Sequence, residues 1–261
     1  MTAVPHTVLV TGAAQGLGWT TANLLAQRHS RVILVDIQSV EPQAARLREL
    51  GLEARGISGD ISSEEFVASL ADSVHRDYGA VDGLVNNAGV SLIVPAEHTS
   101  AAQWQRVMAI NLFGPFLLSR YLGIQMLERG RGSIVNVASI AGLAGVSHRS
   151  AYNASKHGLL GLTRTLAAEW GGRGVRVNAV CPGWIKTEMD LADQGGGAYS
   201  DADIVDRVPL ARFASPLDVA EAIAFLLDPQ RSSFINGVSL PVDGGWTADA
   251  SWNSLRARTR I

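Results

Sequence analysis

A short β-branched and apolar run, Thr7-Val8-Leu9-Val10-Thr11, leads straight into Gly12-Ala13-Ala14-Gln15-Gly16-Leu17-Gly18, and residues 19–29 then have helical character. Few junctions restrict a chain more. A strand that is apolar without alternation is buried on both faces, as in parallel sheets covered by helices. Glycines at a strand-to-helix turn permit close backbone approach, and the free amides and positive dipole of the helix start attract anions. The junction therefore makes a pyrophosphate cradle from Gly12, Gln15, Gly16, Leu17 and Gly18. Its spacing is Gly-x-x-x-Gly-x-Gly rather than Gly-x-Gly-x-x-Gly, and no Lys-Ser/Thr pair follows, which speaks against a P-loop.

The second strand, Arg31-Val32-Ile33-Leu34-Val35, closes on Asp36, eighteen residues past Gly18. An acid there accepts hydrogen bonds from an adenosine ribose diol and repels a 2'-phosphate. Ile37 and Gln38 follow without an arginine, and Gln15 brings no cation to the glycine loop. The charge balance predicts NAD rather than NADP.

Helix and strand patterns then alternate. A helix over 41–50 precedes a weak strand over 53–59 that ends at Asp60-Ile61. Ser62, in a capping box with Glu65, starts a helix that runs to Tyr78. Strand 82–86 delivers Asn87-Ala88-Gly89, whose small residues let a flat ring approach the backbone. A long helix over 102–128 contains Asn111, a buried amide that needs partners. Strand 132–138, a helix from Tyr152, strand 175–180 before Pro182-Gly183, a helix begun by Ser215-Pro216, and strand 237–243 complete the series. With no internal repeat or linker, the expected fold is α/β: a single-domain Rossmann fold with a doubly wound parallel sheet of about seven strands. It spans residues 1–246, with a substrate lid over 188–213, where periodicity is weak, and a C-terminal tail over 247–261 that either wraps a neighbouring subunit or lacks order.

At 261 residues, 47% hydrophobic and with a net charge of -2, the chain buries a sizeable core but lacks the basic surface that nucleic acid or an anionic membrane would need. No apolar run approaches the ~18 residues of a span, and residues 1–10 lack the pattern of a secretory signal. A cytoplasmic protein is expected. The single cysteine, Cys181, lies in an apolar run before Pro182, as a buried inert thiol would.

The chemistry gathers between Ser139 and Lys156. Tyr152 and Lys156 are four residues apart on a helix and share a face. At about 4 Å and an effective dielectric near 20, an ammonium would shift a phenol by roughly 3 pKa units, from about 10 toward neutrality. A phenol so placed exchanges protons with an alcohol or ketone. Alone, the pair is a commonplace surface pattern. Its weight comes from Ser139, at the C-terminal end of a strand, the edge where ligands gather in open α/β sheets.

Taken together, Thr11-Gly12-x-x-x-Gly16-x-Gly18, Asp36, Asp60, Asn86-Asn87-Ala88-Gly89, Asn111, Ser139, Tyr152-x-x-x-Lys156 and Pro182-Gly183 resemble, in order and over nearly the whole chain, a short-chain dehydrogenase/reductase of the "classical" subfamily. The resemblance implies catalytic roles for Asn111, Ser139, Tyr152 and Lys156. Tyr152 is then the general acid/base, and Ser139 holds the substrate oxygen. Lys156 binds the nicotinamide ribose and lowers the Tyr152 pKa, and Asn111 holds a relay water through a main-chain kink. It further implies that Asp60 and Ile61 flank adenine, Asn87, Ala88 and Gly89 the adenosine ribose side, and Ile185 and Thr187 the nicotinamide carboxamide and phosphates. A homotetramer is the implied assembly; no metal is expected.

For the substrate, Val90, Ser91, Gly142, Leu143, His148, Trp184, Met189 and Leu191 are the candidate pocket residues, beside Ser139 and Tyr152. Arg149 is expected to point to solvent. This mixed lining favours a secondary alcohol, sugar or polyol. A 3-oxoacyl thioester reductase is the alternative within enzymes, and a non-catalytic dinucleotide-binding regulator the alternative outside them.

Overall fold

The strand that opens the chain, β1 (Thr7–Thr11), is buried at every residue and lies near the middle of a seven-stranded sheet. The computed structural model describes residues 6–195 and 199–258. Residues 1–5, 196–198 and 259–261, which belong to the stretch searched for a secretory signal, the expected lid and the C-terminal tail, lie outside the described residues. β1 pairs in parallel with β2 (Arg31–Asp36) on one side and β4 (Gly83–Asn86) on the other. With β3 (Ala54–Ser58), β5 (Gly132–Val137), β6 (Val175–Pro182) and β7 (Ser239–Val242), the order is β3-β2-β1-β4-β5-β6-β7, parallel throughout. This is the expected doubly wound, Rossmann-like sheet. Its order reverses between β1 and β4, and ligands of open α/β sheets bind outside the strand ends at such a point.

Both faces are covered, which is why the inner strands read as continuous apolar runs. On one face α1 (Gly16–Gln27), α2 (Glu41–Glu49) and α9 (Pro216–Leu227) close over Val8, Val10, Leu34 and Val180. On the other, α3 (Glu64–Tyr78), α5 (Gly114–Arg129) and α6 (Ser150–Trp170) close over Leu9, Ile33, Leu84 and Ile134.

The predicted long helix is α4 (Ala101–Met108) and α5 joined by a π-turn, Ala109–Phe113, with Asn111 in it. By length and composition alone the 101–129 run is long and apolar enough for a membrane span, but Leu117, Leu118, Leu122 and Met126 bury it in the core.

Two expectations need correction. Ser63, not Ser62, caps α3, accepting from Phe66 N at 3.2 Å, and no box forms with Glu65. The 188–213 stretch, expected to be irregular, contains α7 (Glu188–Gln194), capped by Thr187, and α8 (Asp201–Arg207), capped by a Ser200/Asp203 box. The tail contains a last turn, α10 (Asn253–Arg258), and before it Arg207 of α8 donates to the carbonyls of Trp246 and Asp249.

Candidate active site

The glycine turn is tied to the neighbouring strand end. Thr11 Oγ1 accepts from the backbone N–H groups of Asn87 and Ala88, each at 3.0 Å, while Asn87 Nδ2 donates to the carbonyls of Thr11 and Gly12. There is no room for a side chain: a Cβ on Gly18 would lie 1.9 Å from the Gly12 carbonyl oxygen. Gly12 also has φ +66°, a left-handed conformation suited to glycine. The start of α1 has no side-chain cap and no acid in its first turn, so its amides are free for an anion. At the end of β2, the Asp36 carboxylate is fixed by Ala14 N–H on one oxygen (3.1 Å) and Gln38 N–H on the other (3.0 Å). The Asp60 carboxylate is held by the backbone and hydroxyl of Ser62.

These groups line one cleft of about 410 Å³. Every residue predicted to hold the dinucleotide borders it, from Gly12, Gln15, Gly16, Leu17 and Gly18, through Asp36, Ile37, Asp60, Ile61 and Asn87, Ala88, Gly89, to Pro182, Gly183, Ile185 and Thr187. An uncapped helix start, a glycine turn with no space for a Cβ and a carboxylate anchored on backbone amides fit a dinucleotide.

Ser139, Tyr152 and Lys156 border the same cleft. Ser139 Oγ accepts from Ala141 N–H at 3.1 Å and lies close enough to the Tyr152 hydroxyl to lower its pKa. Lys156 Nζ donates to the Val137 carbonyl at 2.8 Å and lies 5.6 Å from the Tyr152 ring centroid. Burial pushes this ammonium down to about 8. Tyr152 departs from the sequence expectation. Its phenol is raised by burial, against which Ser139 and the Arg149 charge act downward and Asp193 upward. Lys156 Nζ is hydrogen-bonded to the Val137 carbonyl, with no hydrogen bond to the phenol seen among the described residues. Asn111 is fully buried: its Oδ1 accepts from Val90 N–H at 2.8 Å, while Nδ2 donates to the Val90 carbonyl (3.0 Å) and to Ser155 Oγ (3.1 Å).

Of the predicted substrate residues, Val90, Trp184 and Met189 border the cleft beside Ser139 and Tyr152. Leu143 and His148 do not; both are exposed in the turn before α6. Gly142 packs against α6, where a Cβ would meet the Lys156 carbonyl oxygen at 2.9 Å. Leu191 faces a separate depression beside Trp19 and Pro216. Ser91 reaches the site through Arg149, from which its Oγ accepts, and through Asp193, to whose Oδ2 it donates at 3.0 Å, and Arg149 reverses its own expectation. The guanidinium is largely buried, borders the cleft, and donates from Nη1 to Ser91 Oγ (2.8 Å) and to Asp193 Oδ2 of α7 (3.0 Å). Its Cζ lies 5.9 Å from the Tyr152 ring centroid. Asp190 and Tyr199, hydrogen-bonded to each other at 3.0 Å, also border this end. Sequence reasoning missed all four, although Arg149 stands three residues before Tyr152.

A family model described as enoyl-(acyl carrier protein) reductase matches residues 12–247. The chain is 41% identical to a D-threitol dehydrogenase of Mycolicibacterium smegmatis, over 92% of each chain. It is 40% identical to a cis-4-hydroxycyclohexanecarboxylate dehydrogenase of Sinomonas cyclohexanicum, over 92% of this chain and 96% of the relative. Among solved structures, a proposed NAD(P)-dependent gluconate 5-dehydrogenase of Beutenbergia cavernae, with NADP bound at low occupancy, superposes with a TM-score of 0.90 at 37% identity, covering 95% of this chain and 98% of that one.

Proposed function

We propose that this chain, which belongs to the short-chain dehydrogenase/reductase family, is an NAD-dependent oxidoreductase that interconverts a secondary alcohol and its ketone. One observation carries the reading: Ser139, Tyr152 and Lys156 border the same cleft as the glycine turn and Asp36. The regulator alternative leaves that convergence unexplained.

When bound, the nicotinamide supplies the hydride acceptor. In oxidation, Tyr152 as phenolate takes the proton of the substrate hydroxyl, and Ser139 donates a hydrogen bond to the same oxygen. Lys156 is anchored by one N–H on Val137, beside Gly89, and would hold the nicotinamide ribose with its remaining donors. Asn111 has both side-chain N–H groups engaged and acts by fixing the Val90 backbone, a wall of the substrate end. Asp36 favours NAD, because its carboxylate suits a diol and opposes a phosphate. The mixed polar and apolar substrate end supports a sugar, polyol or cyclic alcohol. The wording of the matched family model supports the thioester alternative.

The test is turnover of polyols, cyclic alcohols and β-hydroxyacyl thioesters, followed at the NADH absorbance, for wild type and Tyr152→Phe. The variant is expected to bind NADH normally and to lose at least about a hundredfold in rate, the usual worth of a positioned acid/base. Undiminished turnover would overturn the assignment of Tyr152, and activity confined to thioesters would overturn the substrate class.

A further inference from the structure

The substrate end of the cleft contains a charged pair that is hydrogen-bonded to none of Ser139, Tyr152 and Lys156 among the described residues. Arg149 stands at the start of α6, one turn ahead of Tyr152, and Asp193 reaches it from α7 across the mouth of the cleft. Both side chains are largely buried, at 12% and 16% exposure, and both border the cleft. Ser91 Oγ accepts from the same Nη1, so the guanidinium is held by two elements at once.

Resting on the dehydrogenase reading above, we infer that Arg149 and Asp193 are specificity residues selecting a substrate whose non-reacting end is a neutral hydroxyl rather than a carboxylate. A hydroxyl is both donor and acceptor, so it can accept from guanidinium N–H groups and donate to Asp193 Oδ1, for which no other partner is seen among the described hydrogen bonds. It does so without parting the pair. A carboxylate seeking Arg149 would meet the Asp193 charge already on it, and either repulsion or removal of Asp193 from its partner opposes binding. Asp190, on the same helix, adds a second carboxylate at this end, although its charge is engaged by Lys186, 3.4 Å away, and Tyr199. A buried arginine near the reacting group would by itself suggest an anionic substrate. Its partner reverses that reading.

The matched probes are 4-(hydroxymethyl)cyclohexanol and 4-hydroxycyclohexanecarboxylate, which share ring and reacting carbinol and differ only in the distal group. Wild type is expected to have a kcat/KM at least about tenfold higher for the hydroxymethyl compound, and Asp193→Asn to bring the two together by raising the value for the carboxylate. A wild type that prefers the carboxylate, which needs no variant to observe, overturns the inference. So does an Asp193→Asn ratio equal to that of wild type. Calorimetric titration of the same two compounds into the enzyme–NADH complex reads the distal preference without turnover. An enzyme whose NADH complex binds the hydroxymethyl compound more tightly but which oxidises neither compound with NAD⁺ would count against the dehydrogenase reading alone, whereas equal or tighter binding of the carboxylate would count against the present one.

Discussion

At the scale of single residues, the Tyr152 phenol is set by neighbours of opposite sign. Burial and Asp193 raise it, Ser139 and Arg149 lower it, and Lys156 lies under its ring. The phenolate is the base in alcohol oxidation, so any change that raises this pKa moves the ascending limb of the pH–rate profile to higher pH. Arg149→Met removes a nearby cation that lowers it and leaves Asp193 uncompensated. Its profile is therefore expected to shift alkaline, and that of Asp193→Asn acid. Shifts in the same direction, or none, would show that the pair does not act on the phenol. The Ser139–Tyr152–Lys156 constellation was legible because motif spacing fixes it along the chain. Arg149 was not. His148 takes a left-handed φ of +60° and its carbonyl accepts from Val94 N–H, and this turn feeds Arg149 inward rather than out. Asp193, its partner, lies more than forty residues further on, at the |i−j| = 44 separation that no local pattern encodes.

At the scale of elements, strands and helices followed their apolar periodicity, while helix starts depended on competition for the same donors. Ser62 carried a plausible cap signature, but Asp60 accepts both its N–H and its hydroxyl, and the cap falls to Ser63. Glu64, rather than Glu65, has the specific partners, pairing with Arg120 and accepting from the Tyr121 hydroxyl. The 188–213 stretch looked irregular because its helices are seven residues each, too short to display a period, yet Thr187 and Ser200, each three residues ahead of an aspartate, already marked their starts. The most constrained junction is the seating of α1 on β1. A Cβ at residue 18 would overlap the Gly12 carbonyl at 1.9 Å and the Asn87 amide at 2.6 Å, neither of which is a flexible side-chain tip free to swing away. Gly18→Ala is thus expected to cost about 3 kcal/mol, the upper end for overpacking, and to weaken NADH binding by displacing the helix start. Chemical denaturation and NADH titration would read both effects, and a variant with wild-type stability would mean that the turn yields where the geometry says it does not.

At the scale of the molecule, the doubly wound parallel sheet of about seven strands was readable from the alternation of elements and from the family pattern, since a parallel sheet with helical crossovers leaves few topologies open. The cleft joins the two halves of that sheet: the glycine turn, Asp36 and Asp60 come from one side of the β1/β4 switch, and Ser139, Tyr152, Lys156 and Thr187 from the other. A dinucleotide lying along it touches both halves, so it stabilises the folded chain as a whole. At a hundred times its Kd, NADH is expected to add about 2.7 kcal/mol, which for a chain near this size raises Tm by roughly 5–10 °C. NADPH presents its 2'-phosphate to the Asp36 carboxylate. If that repulsion weakens it tenfold, the same concentration adds only about 1.4 kcal/mol, near half the shift. Asp36→Ala removes the repulsion and the ribose acceptor together, so the two melting curves should converge. Equal shifts in wild type would defeat the cofactor preference, and a Tm unmoved by either dinucleotide would defeat the occupancy of the cleft on which the proposed chemistry depends.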